Sequence, residues 1–136
     1  MKLAGALLLV LMLAGCASLK PQAGACPAGQ ERLQTAQLFF GHKAPNEPRK
    51  PDPAFRKFVE EELTTRFPDG LTILDGGGQW KGEENRQIRE AAKVVLIVLP
   101  RGGDADARLT AVRVAYKARF NQDAVLQLTP AACLPV

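Results

Sequence analysis

The spacing of apolar residues changes along this chain and predicts four strands and two helices. Strands are expected where β-favouring or continuous apolar residues are bounded by glycine, proline or asparagine. A run of three glycines at residues 76–78 predicts that the second strand is broken or bulged. The predicted strands cover residues 31–40, 71–82, 84–100 and 123–136.

Two segments carry apolar residues at the three- and four-residue spacing of an amphipathic helix. In the first, Asp52 is the expected N-cap and Pro53 the first helical residue. The Pro-Asp-Gly sequence at residues 68–70 is expected to end this helix. The second helix is expected within residues 101–121. Its apolar stripe consists of Leu109, Val112, Tyr116 and Phe120.

The resulting order is β-α-β-β-α-β, which is typical of an α+β, ferredoxin-like sandwich. Such a domain has a four-stranded antiparallel sheet in the order 4-1-3-2, with both helices on one face. The other face of the sheet is left open and needs cover. The fold class therefore predicts either a homodimer packed sheet to sheet or another partner.

The first twenty residues predict export and lipid anchoring. Residues 3–15 form an uncharged apolar run that is too short to span a bilayer and fits a secretory signal peptide. The end of this run, Leu-Ala-Gly before Cys16, resembles the bacterial lipobox. That resemblance implies that Cys16 is the first mature residue and carries acyl chains such as palmitate. The alternative is an ordinary cleaved signal peptide with a chance cysteine.

The lipobox resemblance also implies a domain organisation and a location. Residues 1–15 are the predicted signal peptide, residues 16–25 the lipidated cysteine with a flexible tether, and residues 26–136 a single α+β domain. By similarity to lipoprotein sorting in Gram-negative envelopes, Ala17 favours the outer membrane over the inner membrane. The expected location is the cell envelope, with the domain lipid-anchored and facing the periplasm.

Two further cysteines, Cys26 and Cys133, lie near the two ends of the predicted domain. In an oxidising periplasm, such an even pair is a disulfide candidate. The first and fourth strands are expected to be antiparallel neighbours, which would bring these two cysteines together. A metal or redox site is the weaker alternative, because the chain has no C-x-x-C motif and a single histidine.

The charge balance argues against one large class of partners. The chain has 18 Lys and Arg residues against 14 Asp and Glu residues, and the basic residues are spread along it. A nucleic-acid-binding surface would need a concentrated basic stripe, so no nucleic acid is expected. The expected partners are the membrane, through the lipid anchor, and an envelope protein, a small ligand or a second copy of the chain.

No set of residues in the sequence specifies a reaction. His42 and Tyr116 are candidate catalytic residues, with a solvated loop position and a core position as the respective alternatives. Trp80, His42 and Arg86 are predicted to bind a ligand or partner at the end of the sheet away from the anchor, unless Trp80 packs as core. Residues 76–82 lack the last glycine of a dinucleotide-binding fingerprint. Neither a cofactor nor a metal is expected.

Four short motifs, taken in order, resemble a known family. They are QLFFG at 37–41, RFPDGLT at 66–72, GQW at 78–80 and AYKARF at 115–120. Together they are similar to domain-of-unknown-function family 3574, a group of small exported bacterial proteins, many of which resemble lipoproteins. The resemblance supports export and implies no activity, cofactor or catalytic residue.

The expected function is that of a membrane-anchored envelope lipoprotein, a non-catalytic binding module that presents membrane-distal loops to the periplasm. The alternative is a small dimeric α/β-barrel-type enzyme acting on a small apolar molecule, for which fold analogy is the support. A purely structural role in the envelope is a third possibility. A pocket lined by residues of the sheet face, with His42, Tyr116 or Arg86 pointing into it, would favour the enzyme.

Overall fold

The computed structural model describes residues 24–41 and 52–135. Within these ranges the chain forms five strands and two helices, and the first helix continues into a π-helical segment. The elements are β1 (Gln30–Gly41), α1 (Pro53–Phe58) with its π-helical extension (Val59–Thr64), β2 (Leu71–Lys81), a 3-10 turn (Glu83–Asn85), β3 (Gln87–Val98), α2 (Ala105–Phe120), β4 (Leu126–Leu128) and β5 (Ala131–Pro135).

The strands form one antiparallel sheet with the hydrogen-bonded path β2-β3-β1-β4. β5 also pairs with β1, and this pairing runs from Gln30 opposite Pro135 to Gln34 opposite Ala131. The predicted α+β class with an antiparallel sheet is therefore confirmed. The predicted number of four strands is wrong, because the sheet has five.

The fifth strand arises where Pro130 divides the predicted last strand into β4 and β5. Proline has no N–H group to donate to a strand ladder. The Pro130 carbonyl instead accepts hydrogen bonds from the backbone N–H and the hydroxyl of Thr35, each at 2.9 Å. β4 lies against residues 37–39 of β1 and β5 against residues 30–34. Pro130 thus interrupts the ladder, but β4 and β5 on either side of it both pair with β1.

The glycine run does not interrupt β2. The register with β3 is unbroken from Leu71 opposite Ile97 to Lys81 opposite Gln87, so the predicted break or bulge at residues 76–78 is wrong. None of these three glycines has a positive φ, and the ladder with β3 holds them in extended conformation. β2 and β3 remain paired with each other beyond Gly41, the last described residue of β1.

Both helices cover the same face of the sheet, and the core lies between them. The buried sheet positions are Ala36, Leu38 and Phe40 of β1 with Val95 and Ile97 of β3, each at most 2% exposed. The helical positions of the core are Phe55, Phe58, Val59 and Leu63 from the first helix and Leu109, Val112 and Tyr116 from α2. The predicted stripe of α2 is therefore confirmed, with Phe120 partly buried at its end.

Five aromatic rings, from Phe40, Phe55, Phe58, Tyr116 and Phe120, form the centre of this core. Neighbouring rings have centroids 4.6–6.3 Å apart and meet in edge-to-face or tilted arrangements, which aromatic rings prefer. Because the rings come from β1 and both helices, this cluster fixes how the helices sit on the sheet.

The predicted start of the first helix is also confirmed. Asp52 is the N-cap, and its Oδ1 accepts the backbone N–H of Phe55 at 3.0 Å. Pro53 is the first helical residue, where its missing N–H leaves no intrahelical bond unmade. Gly70, at φ +130°, occupies a conformation that other residues rarely adopt, in the predicted turn before β2.

Candidate functional site

The face of the sheet opposite the helices is made by the residues that alternate with the core positions. Successive strand residues point to opposite faces, so the cross-strand register places these residues in rows. One row is Leu126, Phe39, Val94 and Leu74, and the next row is Leu128, Gln37, Leu96 and Thr72. We call these eight residues together with Val98 the open face.

The open face is apolar and accessible to solvent. Leu126 is 59% exposed, Val98 48%, Leu74 47% and Leu128 46%. Seven of the nine residues are leucine, valine or phenylalanine, and none carries a charge. Single exposed apolar residues are common on protein surfaces, but a contiguous apolar patch marks an interaction site. The continuity of this patch across four strands makes it the strongest candidate site among the described residues.

No residue of the open face is among the predicted site residues, although the sequence contains one signal for it. Residues 94–99 are apolar at every position, which means that both faces of β3 are apolar. One face is accounted for by the helices. The second apolar face of β3 lies on the side of the sheet without helices. Leu126 and Leu128 extend this apolar face onto β4.

Trp80 lies on the same side of the sheet as the open face, six residues beyond Leu74 on β2 and opposite Ile88 of β3. It is 44% exposed, so it is not core. The Cζ3 atom of its ring would lie 4.0 Å from a Cβ added at Gly78, which shows that the ring lies near this glycine. Its predicted role in binding remains a prediction.

Of the other two predicted binding residues, Arg86 lies at the end of the hairpin and His42 lies outside the described residues. Arg86 is exposed next to the 3-10 turn, and its carbonyl accepts the Gly82 N–H at 2.9 Å. The structure thus places Trp80 and Arg86 at the same end of the hairpin. His42 and Cys16 lie outside the described residues, as do the predicted signal peptide and most of the predicted tether.

Tyr116 occupies a structural position between β1 and α2. Its side chain is 2% exposed, and its hydroxyl donates a hydrogen bond to the Gly41 carbonyl at 2.9 Å. Burial raises its pKa from 10.0 to about 12, and the nearby carboxylates of Asp52 and Glu90 add to the shift. The hydroxyl therefore keeps its proton at neutral pH and joins the end of β1 to α2.

We expect this raised pKa to make the fold sensitive to strong base. The folded protein holds the proton more tightly than the unfolded chain, so this contribution to stability is fully present below pH 10 and is lost between pH 10 and about 12. A shift of two units corresponds to on the order of 2–3 kcal/mol. Tyr116 is the only tyrosine, so tyrosinate absorbance during a pH titration reports on it alone. A folded-state midpoint near 10, or equal base sensitivity in Tyr116→Phe, would contradict this expectation.

The predicted cysteine pair is joined in the structure. Cys26 and Cys133 form a disulfide with their Cα atoms 5.5 Å apart, 107 residues apart in sequence. Cys133 belongs to β5 and lies opposite Arg32 of β1, so the bond connects the segment before β1 to the last strand. The disulfide prediction is confirmed.

Charged side chains in the described residues form ion pairs within a helix or between elements. Arg119 of α2 contacts the carboxylates of Glu61 at 2.9 Å and Glu62 at 3.6 Å on the first helix. In residues 24–41 and 52–135, no three histidine, cysteine or acidic side chains come together as a metal site. Nor does any helix in that part of the chain have the length and apolar character needed to cross a membrane.

Comparison with known sequences gives one family. The sequence profile described as "Protein of unknown function (DUF3574)" matches residues 35–135, which include every strand and both helices at least in part. None of the curated proteins compared with the chain matches it.

Two solved structures are similar to this protein in fold. A phage SAM lyase in complex with S-methyl-5′-thioadenosine superposes with a TM-score of 0.55 and 9% sequence identity, over 85% of this chain and 96% of the lyase chain. A phage SAM lyase in the apo state superposes with a TM-score of 0.50 and 16% identity, over 88% of this chain and 97% of the lyase chain. At these identities the similarity shows a shared fold.

Proposed function

Because the chain belongs to the DUF3574 family, whose description names no activity, we propose a function from its own residues. The protein is a lipid-anchored component of the bacterial cell envelope that binds another molecule through the open face. The ferredoxin-like arrangement predicted from the sequence is retained as part of this proposal. The contiguous uncharged surface with four side chains 46–59% exposed is the observation that carries it.

Two independent features support an envelope location. The lipobox-like sequence ending at Cys16 is the pattern expected of a lipid anchor in the outer membrane. The Cys26–Cys133 disulfide fits the oxidising side of the inner membrane, because disulfides seldom persist in a reducing cytosol. An exported, anchored domain facing the periplasm accounts for both features.

The direction of β1 relates the anchor to the proposed binding surface. β1 begins beside the disulfide and runs toward the hairpin end that carries Trp80. The tether of residues 16–25 enters at the first of these ends and reaches at most about 35 Å. Trp80 and Arg86 therefore lie at the membrane-distal end, where they would extend the open face toward the periplasm.

The proposal is tested by photo-crosslinking in cells that express the full-length protein. A photoreactive residue at Leu126 is expected to form one specific adduct with an envelope molecule. The same residue at Val114 of α2, which is 61% exposed on the helical side, is the matched control and is expected to form none. A third position, Trp80, tests whether the distal end takes part.

The anchor is tested in the same cells. Cys16→Ser is expected to move the protein from the membrane pellet to the soluble fraction and to abolish palmitate incorporation. Palmitate incorporation that persists in Cys16→Ser, or that is absent from the unsubstituted protein, would contradict the anchor. Equal adducts at Leu126 and Val114, or none at Leu126, would contradict binding through the open face.

A second candidate is a small dimeric α/β-barrel-type enzyme acting on a small apolar molecule. The specific observation in its favour is the fold shared with phage SAM lyases, one of which was solved with S-methyl-5′-thioadenosine. A rise in Tm on titration with S-methyl-5′-thioadenosine would favour this candidate. The leading proposal predicts no change.

A further inference from the structure

β2 forms one edge of the sheet and is unusually open to another strand. It pairs with β3 on one side, and no strand among residues 24–41 and 52–135 pairs with its other side. Natural edge strands are usually short or are protected by proline, a bulge or several charges. β2 has 11 residues, unbroken register, no proline and two charged residues, Asp75 and Lys81.

The glycine run in β2 is not required by the protein's own fold. A Cβ added at Gly76, Gly77 or Gly78 would meet its nearest neighbour at 3.5, 3.7 and 3.6 Å, which are ordinary contact distances. All three residues have extended backbone that any amino acid could adopt. Glycine inside a strand lowers stability, and it often marks a place where another backbone approaches closely. The three glycines therefore leave the backbone of this edge bare, and a chain that approaches it meets no side chain from these positions.

We propose that the approaching chain is a second copy of this protein, paired antiparallel through β2 about a two-fold axis at Gly78. In such a pair, residues whose numbers sum to 156 lie opposite each other. Side chains alternate between the two faces along a strand, and directly opposite residues point to the same face. An even sum pairs even-numbered with even-numbered residues, so the open faces of the two copies lie on the same side. This interface lies at the sheet edge and does not rest on binding at the open face, although it shares Trp80 with the proposed binding surface.

Charge complementarity selects this register. It places Asp75 of each copy opposite Lys81 of the other. These are the only two charged residues of β2, so the interface contains two pairs of opposite charges. Opposite charges stabilise a cross-strand pair, whereas like charges destabilise it. The Asp75 side chain is 51% exposed while it contacts Lys93, so it is accessible to a second lysine.

The same register matches an aromatic ring to a glycine. Trp80 of each copy lies opposite Gly76 of the other, on the open-face side of the sheet. A tryptophan ring that covers a cross-strand glycine stabilises the pair by shielding the bare backbone. Trp80 is 44% exposed in the single chain, so part of its ring is available for this contact. Charge and shape thus favour one alignment.

Cysteine substitutions in the full-length, membrane-bound protein test both the interface and its register. Gly78→Cys is expected to give a disulfide-linked dimer with diamide as the oxidant, because directly opposite Cα atoms are about 5 Å apart. Gly77→Cys is the matched control: the two copies of residue 77 would be roughly 8 Å apart, too far for a disulfide. The unsubstituted protein, treated with diamide in the same way, shows whether the protein's own cysteines form a disulfide-linked dimer.

Charge reversal provides the second test. Lys81→Asp in the Gly78→Cys background is expected to lower the crosslinked fraction at least tenfold, and adding Asp75→Lys is expected to restore it. Equal yields from Gly77→Cys and Gly78→Cys would overturn the register. The absence of any dimer, or a dimer captured through cysteines at Leu126 and Leu128 instead, would overturn the interface.

Discussion

Reduction of the Cys26–Cys133 disulfide is expected to lower the free energy of unfolding by about 4–5 kcal/mol. The bond closes a loop of 107 residues, and the entropy that a crosslink removes from the unfolded chain grows with loop length. A domain of this size is typically stable by 5–15 kcal/mol, so the loss is a large fraction of the total. We expect the Tm of the reduced protein to fall by roughly 15–25 °C.

The measurement is thermal unfolding with and without a reductant, followed by circular dichroism. A variant carrying both Cys26→Ser and Cys133→Ser is the control, because it should match the reduced protein and show no response to the reductant. Two reactive thiols at these positions in protein purified without reductant would contradict the disulfide itself. A shift below roughly 5 °C would mean that the reduced chain keeps the two ends together in another way.

Phe58→Ala is expected to destabilise the fold by about 3–5 kcal/mol. Phe58 is fully buried, and its ring centroid lies 5.3–6.0 Å from those of four other rings. The Arg119 guanidinium also lies 5.5 Å from the centre of its ring. Truncation would therefore leave a cavity at the point where β1 and both helices meet, and it would remove edge-to-face contacts as well.

Denaturant unfolding checks this expectation through a lower midpoint at unchanged slope. Phe58→Leu keeps most of the volume and should cost less than Phe58→Ala, which separates cavity formation from loss of aromatic contacts. Val114→Ala removes an exposed apolar side chain and should change stability little. A loss below about 1 kcal/mol in Phe58→Ala would show that the cluster repacks around the gap.

Features that depend on local chemistry could be predicted from the sequence. The start of α1 follows from Asp52 and Pro53, which act within one turn of the helix. The stripe of α2 follows from the spacing of its apolar residues. The Cys26–Cys133 pair needed one further step, because it followed from the expected neighbourhood of the first and last strands.

Features that depend on neighbouring strands could not be predicted in the same way. Glycines 76–78 have low strand propensity, yet the unbroken ladder with β3 keeps them extended. Pro130 splits the last strand because it has no N–H to donate, and only its contact with Thr35, 95 positions away in sequence, shows that both halves stay beside β1. The open face is an assembly of four strands, and its extent depends on a register that no single segment specifies.

The disulfide also has a mechanical consequence if the protein is anchored through Cys16 as proposed. A pull from the membrane would then enter the domain beside Cys26, and a partner held near the hairpin would pull from the opposite end of β1. That load is directed along the strands, so it shears many ladder hydrogen bonds together instead of peeling them apart one by one. The sulfur bridge passes part of the force from Cys26 directly to β5, and β1 and β5 then carry the tension side by side.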